Sequence, residues 1–110
     1  MGDSEFLAQA EATLDAIEAA LDKLNDDDMI DVECSRSGNV LEIEFLDNGS
    51  KIIVNSQAAM KELWVASRSG GYHYRQVGGQ WINTRDGSEM LASLSEMVSA
   101  QGGAPVVITG

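Results

Sequence analysis

The stretch "VLEIEFLDNGSKIIVNS", residues 40–56, decides the fold. In its first half, apolar and acidic side chains alternate, with the apolar ones at Leu41, Ile43 and Phe45. Alternation with a period of two is typical of a strand that buries one face. The segment Asp47-Asn48-Gly49 then separates this run from a second apolar run, and Asn-Gly in such a place is a strong hairpin signal. Residues 40–56 are therefore predicted to form a β-hairpin with one buried face.

Further strands are predicted on both sides of this hairpin. Upstream, "MIDVEC" (29–34) places Ile30, Val32 and Cys34 on one face, and "SRSGN" (35–39) has the composition of a turn. Downstream, "ELWVAS" (62–67), "YHYRQV" (72–77) and "QWINT" (80–84) are separated by glycine-containing turns. Strands joined by short turns form an antiparallel sheet. The sequence thus predicts five to six antiparallel strands.

Helical periodicity appears before and after the strands. Residues 4 to about 24 carry an apolar stripe at helical spacing, formed by Phe6, Ala10, Leu14, Ile17, Leu21 and Leu24. Either Asp3 or Ser4 is expected to cap the start of this helix. Residues 88 to 101 are predicted to form a second helix that stops at Gly102-Gly103, and the tail "PVVI" (105–108) is expected to pack back on the core.

The order helix, strands, helix predicts an α+β fold. Two amphipathic helices cover the apolar face of an antiparallel sheet, which gives a two-layer α-β sandwich. The chain of 110 residues has the length of one domain, 1–110.

Charge is concentrated in the first third of the chain. The formal net charge is −11, and residues 1–33 hold eleven acids and one base, a net of −10. The remaining residues carry seven acids and six bases, a net of −1. A strong local anion repels nucleic acid and anionic membranes and attracts metal cations or basic proteins. We therefore expect no nucleic acid and no membrane among the partners.

The acids of this first third form what we call the acidic ridge. A second helical stripe, turned about 100° from the apolar one, is continued by the turn and the first strand. The nine members of the ridge are Glu11, Asp15, Glu18, Asp22, Asp26, Asp27, Asp28, Asp31 and Glu33. Lys23 projects elsewhere on the helix, so the helical stripe is expected to have no cation of its own.

Carboxylate oxygens are hard ligands suited to magnesium, calcium, manganese or iron. The ridge does not fit an EF-hand, because a loop starting at Asp26 has Asp31 where glycine is needed and Ser37 where glutamate is needed. We expect weak binding at several sites with little selectivity. A solvated acidic face that aids solubility is the alternative, although such faces usually mix charges of both signs.

Classical catalysis finds little support in the residues. The single histidine, His73, alternates with tyrosines in a short strand, which is typical of a surface or packing residue. Cys34 is in phase with Ile30 and Val32, so we expect a buried small apolar side chain. The protein is predicted not to be an enzyme. A lone cysteine and the absence of a secretion signal at the N-terminus predict a cytoplasmic location.

Trp64 is a candidate binding residue. Leu63 and Val65 share one face of their strand, which leaves Trp64 on the outer face, near Asn55 and Gln57. A tryptophan exposed among amides is a common anchor for a protein partner. The alternative is a Trp64 partly covered by the neighbouring strands.

Residues 47–74, "DNGSKIIVNSQAAMKELWVASRSGGYHY", resemble the sheet signature of the frataxin family. An NGS-K-hydrophobic-N-x-Q stretch is followed by a tryptophan and then by G-G-Y-H-Y. The acidic first helix, the Trp81 segment and the helix after "RDGSEML" follow in family order, so the resemblance spans essentially the whole chain. The short N-terminus is similar to that of the bacterial branch.

This resemblance implies an α-β sandwich with a ridge that binds iron weakly, as Fe²⁺ or Fe³⁺. It implies a role in iron–sulfur cluster assembly, in which the protein docks on the cysteine desulfurase and its scaffold protein and either regulates cluster formation or supplies iron. The protein is expected to be a monomer without metal. The iron-binding residues carried over by position are Glu18, Asp22, Asp26, Asp27, Asp28, Asp31 and Glu33, with Glu11 and Asp15 as outlying members. The partner-binding residues are Glu18, Asp22, Asn55, Gln57 and Trp64.

Some positions depart from the family pattern. Ala19 and Lys23 stand where bacterial relatives often carry acids, and Leu7 stands where some have histidine. These departures argue against a tight, ordered iron site and leave the diffuse negative field intact. Two other functions remain open: an acidic interaction module with no physiological metal, and a weak ferroxidase.

Overall fold

A computed structural model describes residues 2–108 of the chain. Along the chain, one helix precedes the six strands and one helix follows them. In chain order the elements are α1 (Asp3–Asp26), β1 (Val32–Ser37), β2 (Val40–Phe45), β3 (Lys51–Gln57), β4 (Glu62–Ser67), β5 (Gly70–Val77), β6 (Gln80–Asn83) and α2 (Met90–Gly102).

The strands form one antiparallel sheet in sequence order, β1-β2-β3-β4-β5-β6. The predicted hairpin of residues 40–56 is confirmed as β2 and β3, with Ile43 opposite Ile52 and Leu41 opposite Val54. These four side chains are fully buried. Because side chains alternate between faces along a strand, this register places one complete apolar face toward the helices.

The helices cover that apolar face. Phe6, Leu14, Ile17 and Leu21 of α1 are buried, and the rings of Phe6 and Trp81 pack edge to face with centroids 5.9 Å apart. From α2, Met90, Leu94 and Val98 are fully buried in the same core. The predicted two-layer sandwich is confirmed. Neither helix within residues 2–108 is both long and apolar enough to span a bilayer.

The segment after α2 returns to the core, as the sequence predicts. Val106 and Ile108 are buried. The Ile108 amide donates to Ser95 Oγ (2.8 Å), and Ser99 Oγ accepts from the Val106 amide (2.9 Å). The tail is therefore fixed both by apolar burial and by hydrogen bonds to α2.

Several boundaries differ from the sequence prediction; β5, for example, begins at Gly70 rather than at Tyr72, and β6 ends at Asn83 rather than at Thr84. Strand β1 begins at Val32 and continues through Ser37, so residues 35–37 are strand, and the turn is confined to Gly38 and Asn39. The N-cap of α1 is Gly2, with no side-chain capping bond, so the expected cap by Asp3 or Ser4 is wrong. Helix α2 begins at Met90, because the Glu89 carboxylate caps it by accepting from the amides of Leu91 and Ala92.

Candidate cation-binding and docking site

The helical part of the acidic ridge lies beside the edge strand β1. Arg36 of β1 reaches across to α1, and its Nη1 pairs with Asp15 Oδ1. Cys34, two residues earlier on the same face of β1, lies within the field of Glu18 and Asp22. The stripe predicted from helical spacing therefore forms one edge of the sandwich.

The ridge contains two cations that the sequence analysis did not place there. Arg36 pairs with Asp15, and Lys23 Nζ lies 3.2 Å from Asp27 Oδ2, one helical turn away. The expectation that the acidic stripe has no cation of its own is wrong for Asp15. Arg36 was missed because it comes from an edge strand, which only the three-dimensional register brings to α1.

The C-terminal end of α1 is closed by backbone hydrogen bonds around Asp28. The Met29 amide donates to Leu24 O (2.9 Å), and the Asp28 amide donates to Asn25 O (3.1 Å). This is the Schellman arrangement, in which the enclosed residue adopts the left-handed conformation and is usually glycine. Here Asp28 takes that place with φ 59°. Aspartate tolerates this conformation better than most residues, at a cost that glycine would not carry.

This helix end is electrostatically unfavourable for acids. Aligned peptide dipoles place a partial negative charge at a helix C-terminus, where cations are stabilising and carboxylates are not. The last residue of α1 is Asp26, and Asp27 and Asp28 follow directly. Lys23 moderates this cluster by pairing with Asp27, while Asn25 Oδ1 is engaged elsewhere and accepts from the Val32 amide (3.2 Å). The ridge is therefore densest where the helix least favours negative charge.

An open depression of about 360 Å³ lies next to this helix end. Its lining is mostly polar and consists of Asn25, Asp28, Met29, Ile30, Asp31, Asp47 and Gly102. Asp47 belongs to the β2–β3 turn and was not among the predicted ridge residues. Because β1 and β2 are antiparallel, the turn after β2 lies beside the start of β1. Asp47 could therefore have been placed near Asp31 from the sequence, but only once the register of these two strands was known.

Glu33 lies away from the helical stripe. It projects from the outer face of β1, directly opposite Glu44 of β2. Like charges in opposite positions on neighbouring strands repel each other. The structure thus extends the ridge around the sheet edge to Glu44 and does not place all nine predicted carboxylates on one side.

The carboxylates of the ridge are mostly exposed. Asp15 and Asp27, for example, have side-chain exposures of 65 % and 54 %. Within residues 2–108, no three His, Cys, Asp or Glu side chains are arranged to hold a metal ion. The donor set itself fits hard cations such as Fe²⁺, Fe³⁺ and Mn²⁺. The arrangement supports a high local concentration of cations along an exposed surface.

The pKa of the Cys34 thiol is affected by the neighbouring ridge carboxylates. Cys34 is half-buried against the core rather than fully buried as predicted. Burial, and then the negative charges of Asp22 and Glu18, raise its pKa from an ordinary value of 9.0 to about 12. Because the thiolate is the reactive form, this thiol is held in its unreactive state at neutral pH.

Trp64 projects from the outer face of the sheet, as predicted, but it is only partly exposed. Its ring stacks on that of His73 with centroids 4.3 Å apart and an interplanar angle of 8°. Its Nε1–H donates to Glu62 Oε1 (2.8 Å). Both sequence interpretations therefore hold in part, since Trp64 is on the outer face and the neighbouring strand covers one side of its ring.

The predicted partner-binding residues of the sheet lie in two adjacent rows. Asn55, Trp64 and His73 face one another across β3, β4 and β5. Gln57 lies in the next row, opposite Glu62. Both amide residues are half-buried on the outer face. The structure brings Asn55, Gln57 and Trp64 together, whereas Glu18 and Asp22 lie on the ridge.

Known proteins resemble the chain along its length. The Frataxin-like domain family matches residues 1–104. The iron-sulfur cluster assembly protein CyaY of Janthinobacterium sp. (strain Marseille) is 71 % identical over 108 residues, which cover 98 % of this chain and 96 % of that protein. Frataxin from Psychromonas ingrahamii matches with a TM-score of 0.89 and 33 % identity over 100 % of both chains. Trimeric frataxin from the yeast Saccharomyces cerevisiae, complexed with ferrous iron, matches with a TM-score of 0.73 and 26 % identity over 86 % of each chain.

Proposed function

The chain belongs to the frataxin family, and from this premise we propose that it acts in iron–sulfur cluster assembly as an iron-binding regulator. The name of its relative from Janthinobacterium and the ferrous complex of the yeast frataxin support this assignment. In this proposal the protein works in the cytoplasm and is a monomer without metal. It docks on the cysteine desulfurase and its scaffold protein, and it supplies iron to them.

One observation carries the proposal: the carboxylates of Asp26, Asp27 and Asp28 are gathered at the C-terminal end of α1. Acids at that position weaken the helix, so their presence there favours a role outside folding. A bound cation neutralises both the carboxylates and the helix dipole. The ridge then attracts iron through its field, and the same field steers docking onto a basic surface of the desulfurase.

Thermal denaturation under anaerobic conditions tests the iron-binding part. A ligand that binds the folded state raises stability by RT ln(1 + [L]/Kd), so millimolar Fe²⁺ at low ionic strength should raise Tm. The double variant Asp26→Asn/Asp27→Asn should lose most of that rise. Glu96→Gln, which removes an exposed acid from α2, is the matched control and should keep it. A wild-type Tm indifferent to Fe²⁺ would contradict iron binding.

The interaction-module alternative makes a different prediction. If the ridge binds only a basic protein, the desulfurase should bind equally well with a chelator present, and Fe²⁺ should change nothing. We propose that the protein is not a ferroxidase, since that activity requires an ordered site that holds iron and oxygen together. Rapid oxygen-dependent oxidation of Fe²⁺, lost in Asp26→Asn/Asp28→Asn, would contradict this.

A further inference from the structure

The outer face of the sheet contains a buried carboxylate that accepts hydrogen bonds from two side chains and lies beside the ring of His73. Glu62 is 4 % exposed although it projects from the outer face. Its Oε1 accepts from Trp64 Nε1 (2.8 Å) and lies 3.5 Å from His73 Nδ1, while its Oε2 accepts from Arg75 Nε (2.8 Å). A buried carboxylate is costly unless it is paired and hydrogen-bonded, and both oxygens of Glu62 are.

These contacts leave the two terminal nitrogens of Arg75 without a hydrogen bond to Glu62. The Arg75 side chain is 57 % exposed, and among residues 2–108 its terminal nitrogens form no hydrogen bond. The His73 side chain is 48 % exposed, and only its Nδ1 faces Glu62. A guanidinium held at Nε presents its two terminal nitrogens in a fixed orientation, which suits a carboxylate.

Charge is distributed unevenly across the outer face of the sheet. The β1–β2 side carries Glu33, Glu42 and Glu44, with Lys51 close to Glu42 (3.4 Å). The β4–β6 side is different, because within residues 2–108 the charged side chains that share the face of Trp64 on these strands are Glu62 and Arg75, which pair with each other. The molecule therefore presents an anionic ridge on one edge and, around Trp64, a region of little net charge in which Arg75 supplies the donors.

We propose that the outer face around Trp64 binds a carboxylate-bearing segment of the assembly partner, which Arg75 contacts through its terminal nitrogens while Glu62 holds Arg75 and Trp64 in place. This inference rests on the proposed function and adds the chemistry of the partner segment to it. Arg75 is the binding residue and Glu62 is a positioning residue. A partner with a basic patch for the ridge and an acidic segment for the sheet can dock in one orientation only.

The test measures the affinity of the purified cysteine desulfurase–scaffold complex for single variants of the full chain. Arg75→Gln should weaken binding by about tenfold or more, as expected for a charged anchor. Lys51→Gln is the matched control, because it removes the same charge from the same face, and its affinity should stay within about twofold of wild type. Arg75→Lys keeps the positive charge next to Glu62 but loses the pair of terminal guanidinium nitrogens. Its affinity should therefore lie between that of Arg75→Gln and that of wild type.

Glu62→Gln tests the positioning role. Glutamine still accepts from Trp64 but carries no charge for Arg75, so affinity should fall by severalfold. If Glu62 acts through Arg75, the double variant Glu62→Gln/Arg75→Gln should bind no more weakly than Arg75→Gln alone. Additive losses would show that Glu62 does not act through Arg75 and would overturn its positioning role.

Two failures are distinguishable. If wild type binds the complex and Arg75→Gln and Lys51→Gln both bind equally well, the carboxylate-binding role of Arg75 is overturned and the proposed function stands. If wild type does not bind the complex at all, the proposed function itself fails, and this inference fails with it. Circular dichroism and the indole N–H resonance of Trp64 check that each variant is folded.

Discussion

The amide of Met29 donates a 2.9 Å hydrogen bond to the carbonyl of Leu24, and the turn that this bond closes holds Asp28 at φ 59°. A glycine would fit the same turn without strain. The chain instead places a carboxylate there, at the negative end of a helix of 24 residues. Asp28 therefore adds negative charge at the end of α1 at the cost of some stability.

Asp28→Gly should therefore raise the stability of the metal-free protein. We expect a gain of about 0.5–1 kcal/mol, since both backbone strain and an unfavourable charge are removed. Urea unfolding in the presence of a chelator measures it as a higher midpoint. Asp28→Asn removes only the charge and should gain less. A midpoint for Asp28→Gly at or below that of wild type would contradict this account of the helix end.

Arg36→Gln should strengthen cation binding by the ridge. The variant removes the positive charge that pairs with Asp15, so the negative potential along the α1–β1 edge increases. Titration with Mn²⁺ at low ionic strength should give a dissociation constant lowered by severalfold. Lys51→Gln, a base on the outer face of the sheet, should change it little. Equal effects of the two substitutions would show that only the net charge of the protein matters.

Cys34 should react slowly with a neutral alkylating reagent. A pKa of about 12, against an ordinary 9.0, leaves about a thousandfold less thiolate at pH 8. Iodoacetamide modification, followed by mass spectrometry, measures the rate. Asp22→Asn should raise that rate, because one of the charges that stabilise the neutral thiol is removed. Glu5→Gln, in the first turn of α1, serves as the control. A Cys34 that reacts as fast as free cysteine would contradict the burial of this thiol beside the ridge, and a rate unchanged by Asp22→Asn would contradict the effect of the ridge charges.

Glu62 should contribute to stability in a pH-dependent way. Burial favours the neutral acid, but the hydrogen bonds from Trp64 and Arg75, together with the charges of Arg75 and His73, outweigh it and lower the pKa of Glu62 below its ordinary 4.5. A lowered pKa stabilises the folded state fully above the unfolded value, and this contribution is lost as the pH falls through the folded value. Wild type should therefore be more stable than Glu62→Gln at pH 7.

The stabilities of wild type and Glu62→Gln should become equal as the pH is lowered below about 4.5. Denaturant unfolding of both proteins at a series of pH values between 3 and 7 checks this expectation, with Glu96→Gln as a variant of an exposed acid. If the free energies of unfolding of wild type and Glu62→Gln differed by the same amount across that range, the contribution of Glu62 to stability would not depend on its charge.

Much of the fold was predictable because it follows from local patterns. The alternation in residues 40–56 and the helical stripe beginning at Phe6 each indicate one buried face, and the structure confirms both. The resemblance to the frataxin family is also confirmed. Capping was harder to predict, since Gly2 rather than Asp3 or Ser4 ends up at the N-cap.

The parts of the site that the sequence did not reveal all depend on contacts between distant residues. Arg36 reaches Asp15 only because β1 lies at the sheet edge beside α1. Asp47 joins the ridge through the register of the β2–β3 hairpin. The burial of Glu62 requires Arg75, thirteen residues later in the chain, so alternation alone could not predict it.

The acidic ridge is proposed to dock the protein on the cluster-assembly machinery. The most direct measurement is the affinity of the purified chain for cysteine desulfurase at low and high salt, with and without Fe²⁺ under anaerobic conditions. It compares wild type with Asp26→Lys/Asp27→Lys and, as control, with Glu96→Lys. We predict salt-sensitive binding that is lost in the ridge variant and kept in the control. Binding that is insensitive to salt and equal in all three proteins would contradict the claim.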